Sequence, residues 1–272
     1  MPGTEFAVVG RRDDHEPWRE LARVRVPAPD VAPSTTVDAI GPAVESVPAN
    51  LLRFTVTFSS EMEEGSAAGR IQLQDDTGAN ILGALLDMPP ELWDRDRRRL
   101  TVLVEPGRIK RGLQPNVQAG APLREGGTVT LVVDSGIRDS SGARLAEEAR
   151  RTYRVDAPIR SRIDPTRWQV TWPDAPADSV VVRFDRPLDG ALAQRYLRVV
   201  DGDGNPVAGQ THIDEAVRQW MFTPSVGVNH LELHVDSRLE DLAGNSVRRV
   251  FDRDLDRAED DGIDDAEVIL RG

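Results

Sequence analysis

One stretch of this chain occurs twice. Val133-Asp-Ser-Gly-Ile137-Arg-Asp139-Ser-Ser-Gly142-Ala143-Arg-Leu145 returns as Val235-Asp-Ser-Arg-Leu239-Glu-Asp241-Leu-Ala-Gly244-Asn245-Ser-Val247. Each copy reads as a strand end, one apolar anchor (Ile137 or Leu239) and a tight turn. In the turn, Asp139 or Asp241 accepts hydrogen bonds from nearby amides, and Gly142 or Gly244 supplies a positive φ. Such a unit builds the edge of a β-sandwich and does no chemistry. A long internal repeat constrains the fold more than composition does, because each copy must bury its own apolar face.

The repeat extends well beyond the turn. Leu52, Phe54, Val56 and Phe58 alternate with Arg53, Thr55 and Thr57, which is the period of a half-buried strand. At an offset of 126 residues, Val180, Val182 and Phe184 stand in the places of Phe54, Val56 and Phe58. The hairpin Ile71–Gly83 matches Leu197–Gly209 at the same offset, with apolar positions, turn Asp and turn Gly coinciding. A third strand, Leu100–Pro106, matches Arg218–Pro224 at an offset of 118, which implies eight extra residues in the first copy after Gly83. The last strands and turns align at 102, implying a further 16 residues within Gly107 to Thr128. Two all-β repeats of about 100 to 120 residues are expected, a usual sandwich length.

The expected boundaries follow from these blocks. The first domain spans 34–157 and carries an inserted basic loop at 107–128. The second spans 158–256, after Asp156-Ala157-Pro158, where proline interrupts sheet pairing. Residues 257–272 should form a flexible acidic tail, because Glu259 to Glu267 lacks apolar content. Little helix is expected, at most a turn or two over Glu147 to Arg151. At the other end, Ala22–Pro29 looks like Arg151–Pro158, the closing strand of the first repeat. Phe6 to Val9 would then be the preceding strand and Gly10 to Glu20 its turn. Residues 1–33 are therefore read as a hairpin, with two origins open: the remnant of a preceding repeat, or an ordinary hairpin packed on the first domain.

Composition limits the partners. The 272 residues carry 34 basic and 46 acidic side chains, a formal net charge of −12. Half of that charge lies in Asp252 to Gly272, where nine acids face three arginines. An acidic chain of this kind has no electrostatic footprint for nucleic acid. There is no cysteine, which excludes disulfides, thiolate zinc sites and a cysteine nucleophile. No apolar run approaches the length of a membrane span, so no membrane insertion is expected. The start, Met1-Pro-Gly-Thr-Glu-Phe-Ala-Val-Val-Gly10, reaches charge after four apolar residues and does not read as a signal peptide.

Phe58-Ser59-x-x-Met62, Phe184-Asp185-Arg186-Pro187-Leu188, the hairpin Asp-x-x-Gly and the terminal Asp-x-x-Gly turn together resemble the bacterial Ig-like domain of S-layer and other cell-envelope proteins. The resemblance covers Thr36 to about Asp256. The second copy is closer, with Pro187 in the proline slot and Asp241-Leu-Ala-Gly-Asn245 at its end. The first copy has Glu61 in the proline slot and Ala143 where asparagine is usual. The resemblance implies two tandem Ig-like β-sandwich domains, non-catalytic, with a structural or adhesion role in the cell envelope or outside the cell. Such a location fits a truncated start. No family catalytic residue carries over, and no cofactor is expected.

Four groups of residues are candidates for chemistry. Asp201, Asp203 and Asn205 open like a calcium loop, but Pro206 and His212 occupy the sixth and twelfth positions, where glycine and an acid belong. A hairpin turn is the plainer reading, as for Asp75 to Gly78. His230, Glu232 and His234 would share one face of a strand, yet the outer pair lie roughly 13–14 Å apart at the strand rise, too far for one metal ion. Trp93, Trp168, Trp172 and Trp220 suit either a sugar-stacking platform or core packing; Trp220 alternates with Phe222 and belongs to the core. The inserted loop holds the principal ligand-binding candidates, Arg108, Lys110 and Arg111. Its expected partners are an anionic cell-wall polymer, a protein surface such as a neighbouring domain, or the acidic tail. An accessory protein that binds a carbohydrate or an anionic wall polymer through this loop is thus the alternative to the structural module. The sequence is silent on oligomeric state.

Overall fold

The computed structural model of the chain describes residues 5–11, 18–25, 32–175, 178–228, 230–254, 256–260 and 262–272. Strands β1 (Glu5–Gly10) and β2 (Arg19–Arg25) form a two-stranded sheet of their own. Leu21 is 69% exposed and Trp18 is 62% exposed, and Phe6, Val8 and Val24 are also open to solvent. These side chains are therefore not packed on the first lobe. Most of the expected turn and of Val26–Pro29 lies outside the described residues.

The first lobe follows. It contains β3 (Val37–Gly41), β4 (Ser46–Pro48), β5 (Arg53–Phe58), β6 (Ile71–Gln74), β7 (Leu92–Trp93), β8 (Arg99–Leu103), α1 (Pro106–Ile109), α2 (Gln114–Ala119), β9 (Thr128–Val133) and β10 (Ala149–Asp156). The second lobe contains β11 (Gln169–Thr171), β12 (Val180–Arg183), α3 (Gly190–Tyr196), β13 (Leu197–Asp201), β14 (Gly209–Ile213), β15 (Gln219–Pro224), β16 (Leu231–Asp236) and β17 (Glu267–Arg271). The fold is an all-β sandwich. In the first lobe a sheet ordered β3-β5-β8-β7 faces one ordered β4-β10-β9-β6. In the second, β11-β12-β15-β14 faces β13-β16-β17.

Strand alternation places the cores. Phe54, Val56 and Phe58 on β5 are fully buried, with Leu73, Leu131 and Tyr153 from the facing sheet. Val180 and Val182, with Trp220, Leu233 and Val235, do the same in the second lobe. Each fully buried side chain of this size contributes about 1.5–3 kcal/mol. Trp168 lies edge-on to Phe184 at 4.8 Å, Trp220 stacks on Phe222 at 6.0 Å, and Trp93 tilts against Phe58 at 5.7 Å. Trp172 is half-buried against the second core. All four tryptophans thus pack, and none extends a platform.

Pairing corrects one alignment read from the sequence. Phe54 lies opposite Val102 and Val56 opposite Leu100, while Val180 lies opposite Phe222 and Val182 opposite Trp220. The third strands therefore correspond at an offset of 120, not 118, and the first copy has six extra residues before β8 rather than eight. The turns agree: Arg97 and Val217 both have positive φ, 49° and 50°. Asp94 accepts from the amides of Arg98 and Arg99, as Asp214 does from those of Arg218 and Gln219. The shared proline misled the alignment. Val104, not Pro106, takes the buried place of Pro224.

Residues 257–272 are also corrected. Val268 lies opposite Val235 and Leu270 opposite Leu233, as Ala149 lies opposite Val133 and Arg151 opposite Leu131. The end of the acidic stretch is therefore the strand that closes the second sheet. Val268 and Leu270 pack on the second core; Arg271–Glu232 ties β17 to β16, and Arg198–Glu267 reaches across β16 to β13. Ladder pairing and apolar burial by this short run overcome the charge around it. Two smaller differences concern helix. Residues 149–151 are strand rather than helix, and Gly190–Tyr196 is a helix capped by Asp189, whose carboxylate accepts from the Leu192 amide.

Candidate functional site

Each lobe carries an insertion that the other lacks, and the two insertions meet. In the first lobe it is the loop after β8. Helix α1 begins at Pro106, with the Glu105 carboxylate accepting from the Gly107 amide, and α2 packs beside it. In the second lobe it is the segment between the terminal turn and β17, which includes Phe251 and Asp252.

The three cations expected to bind a ligand serve the chain itself. Arg108 is 7% exposed, and its guanidinium donates to the carbonyls of Leu82, Ala119 and Gly120 at 2.8–3.0 Å. Asn116 in turn donates to the Arg108 carbonyl at 2.5 Å. Arg108 is thus the internal strut of the loop, its charge disfavoured by burial but balanced by carbonyls. Lys110 places its ammonium 4.5 Å from the centre of the Phe251 ring, a cation–π contact with the other lobe. Arg111 donates from its amide and from Nε to the two carboxylate oxygens of Asp252, at 2.9 and 2.7 Å. The loop therefore holds the Asp252 carboxylate of the second lobe within the same chain.

Asp252 is 2% exposed and also accepts from Arg160 at 3.1 Å. Burial works against its charge. The Arg111 amide and guanidinium together with Arg160 outweigh that, and hold the carboxyl below its usual value. Around it the connection between the lobes is pinned from both sides. Asn50 of the first lobe both donates to and accepts from the Ile159 backbone, at 2.7 and 2.9 Å. Asn245 of the second donates to the same Ile159 carbonyl at 3.0 Å. The Leu52 amide donates to the Leu242 carbonyl at 2.9 Å, and Leu242 packs into the first lobe's core. Arg53 pairs with Glu240 and lies 3.5 Å from Asp189. Gly244, with φ of 77°, approaches so closely that a Cβ there would lie 2.5 Å from Leu52. A cleft of about 440 Å³ opens beside this seam, lined in part by Asn50, Arg124, Pro158 and Arg160. Of the three expected cations only Arg111 reaches it.

The other candidates are placed as follows. Asp201 accepts from the amides of Asp203 and Asn205 at 3.0 and 2.8 Å, with Asn205 as the main cause of its lowered pKa. That is a side-chain-closed turn, repeated at Asp75 with Thr77 and Ala79. His230 lies before β16 with φ of 56°, so it does not share a strand face with Glu232 and His234. His234 instead sits between Glu232 and Glu267 at 3.3 and 3.1 Å, bridging β16 to β17. Among the described residues no three His, Asp or Glu side chains converge as a metal site. The seam residues Asp252, Arg160 and Asn50 were not singled out from sequence. One signal was available: each repeat departs from its twin by an insertion, and unmatched insertions in adjacent repeats can be expected to meet.

No family model matches the chain, and no curated protein matches it. Among solved structures it is similar to the S-layer protein rSbsC(31-844), at 14% identity and a TM-score of 0.31, over 74% of this chain and 23% of that one. Surface layer protein SbsC, domains 1-6, gives the same values. Native alpha-2-macroglobulin from Escherichia coli, spanning domains MG0-NIE-MG1, is similar at 8% identity and a TM-score of 0.29, over 87% of this chain and 90% of that one. The chain thus spans under a quarter of the S-layer protein. No helix among the described residues is long and apolar enough to cross a membrane.

Proposed function

We propose that the chain is a non-catalytic structural module of a bacterial cell-envelope or secreted protein, built from two tandem Ig-like sandwiches held at a fixed mutual angle. One observation carries this reading: both lobe-specific insertions are used to lock the lobes together, through Arg111, Arg160 and Asp252. A stiff joint between the lobes suits a spacer. The clamping of Ile159 from both sides supports that stiffness. The resemblance of the strand and turn motifs to bacterial Ig-like domains supports the location. Fractionation of the native host, with an antibody to the second lobe, tests it: the protein should be found in the envelope or medium. A pool confined to the cytosol would overturn the proposal. The stiffness is tested by small-angle scattering, where the maximum dimension should match the two-lobe structure and increase in the Asp252→Ala variant.

A further inference from the structure

At one edge the lobes differ in a way that the spacer role leaves unused. In the second lobe β14 runs unbroken beside β15, with Thr211 opposite Phe222 and Ile213 opposite Trp220. Helix α3 lies beside that edge with Ala193 buried. In the first lobe the same strand survives only as Leu85 opposite Val104 and as Leu92–Trp93 opposite Thr101 and Leu100. The Leu86 amide still donates to the Leu103 carbonyl, and the chain then leaves β8 until Leu92. The six residues from Leu86 to Glu91 stand where the second lobe has Gln210 and Thr211, which supplies four of the six extra residues; the other two fall between Gly83 and Leu85. Beneath them the large rings are missing: Leu100 and Val102 stand where the second lobe has Trp220 and Phe222.

A looped-out strand above a floor of smaller side chains leaves a cavity of about 440 Å³, lined in part by Ile71, Leu85, Leu100 and Val102. That volume lies within the range of small-ligand sites. Its shape is supported from outside. The Glu91 carboxylate accepts from the amides of Gly65 and Ala67 at 2.8 and 2.9 Å and from Nε1 of Trp93 at 2.7 Å. Those bonds tie the looped strand to the loop before β6 and so fix the two walls relative to each other. Glu64 and Asp87 also line the opening, and no lysine or arginine does.

We propose that this cleft is a binding site for a small amphiphilic cation, an alkyl or aryl amine whose hydrocarbon enters between the sheets and whose ammonium remains beside Glu64 and Asp87. The full chain should be titrated with hexylamine, hexanol and hexanoate, followed by amide NMR. Hexylamine should give saturable shifts centred on residues 64–71, 85–92 and 100–103. It should bind at least about threefold more tightly than hexanol, as one exposed charge contact predicts, with hexanoate weakest. Val102→Trp restores a ring at the position of Phe222 and should abolish the shifts. Should that variant not fold, the double variant Glu64→Gln with Asp87→Asn decides: hexylamine should fall to the affinity of hexanol. Absence of saturable shifts, equal affinity for the three probes in the unaltered protein, or unchanged hexylamine binding in either folded variant would overturn the proposal.

Discussion

The two lobes share a strand register, yet they finish the same edge in opposite ways. The second fills it with Trp220 and Phe222 beneath a continuous β14; the first leaves Leu100 and Val102 beneath a strand that loops away. The contrast shows what a β-sandwich holds constant. Pairing of β5 with β8, and of β12 with β15, is retained because a one-residue slip would turn every core side chain to solvent. Edge strands lack that constraint. An insertion there costs only loop entropy, which grows slowly with length. One lobe is closed at this edge and the other carries a cavity.

The sharpest way to break the comparison is to remove the rings. Trp220→Ala should destabilise the second lobe by about 3–5 kcal/mol, as large-to-small core changes do. Leu100→Ala should cost less, because its site already borders a cavity that can adjust. Denaturant unfolding of each variant measures both, and a larger loss at Leu100 would count against the register described here.

The seam supplies the next effect. Asp252→Ala removes the acceptor shared by Arg111 and Arg160, which are partly exposed and become hydrated in its absence. The cost should be about 1–3 kcal/mol, and calorimetry should show the lobes unfolding in separate transitions. Acid should act in the same direction. Asp252 has a folded pKa below its ordinary 3.8, so its contribution is present above that value and is lost as pH falls through the lower folded one. The seam should loosen at pH below about 4, before the sheets do.

A comparable effect separates the twin turns. In both, the aspartate accepts from amides two and four residues on. Asp241 is wholly buried, and burial pushes it up to about 6 against the pull of Asn245 and Arg186. For Asp139, burial is outweighed by Ser141, Thr35 and the turn amides, and its pKa is lowered. The signs are therefore opposite. The Asp241 contribution is full below pH 3.8 and is lost as pH rises through about 6, whereas the Asp139 contribution is lost only in acid. Between pH 4 and 7 the second lobe should lose on the order of 1–3 kcal/mol, and Asp241→Asn should flatten that slope in a pH series of unfolding curves. The smallest effects should be equal. Gly78→Ala and Gly204→Ala each place a side chain at φ near 82° with open space around it, at about 1–2 kcal/mol apiece. Unequal losses, measured by unfolding, would show that the two hairpin turns are not equivalent.

By itself the sequence determined the all-β class, the strands whose alternation is strict and the paired aspartate–glycine turns. These are local signals, readable over five to fifteen residues because period two and positive φ leave their mark on residue choice. Only the tertiary structure decided the rest. Val268 to Leu270 is too short a run to be recognised as a strand among nine acids, and it becomes one because β16 offers it a ladder and an apolar surface. Asp252 looks like any other acid of its stretch until the first lobe's loop brings Arg111 to it from 141 residues away. The structural place of Arg108 was hidden for the same reason, since no local pattern reports that three carbonyls will surround a guanidinium. The open edge rests on a register that proline-to-proline matching placed two residues out, and backbone pairing across the sheet put it right.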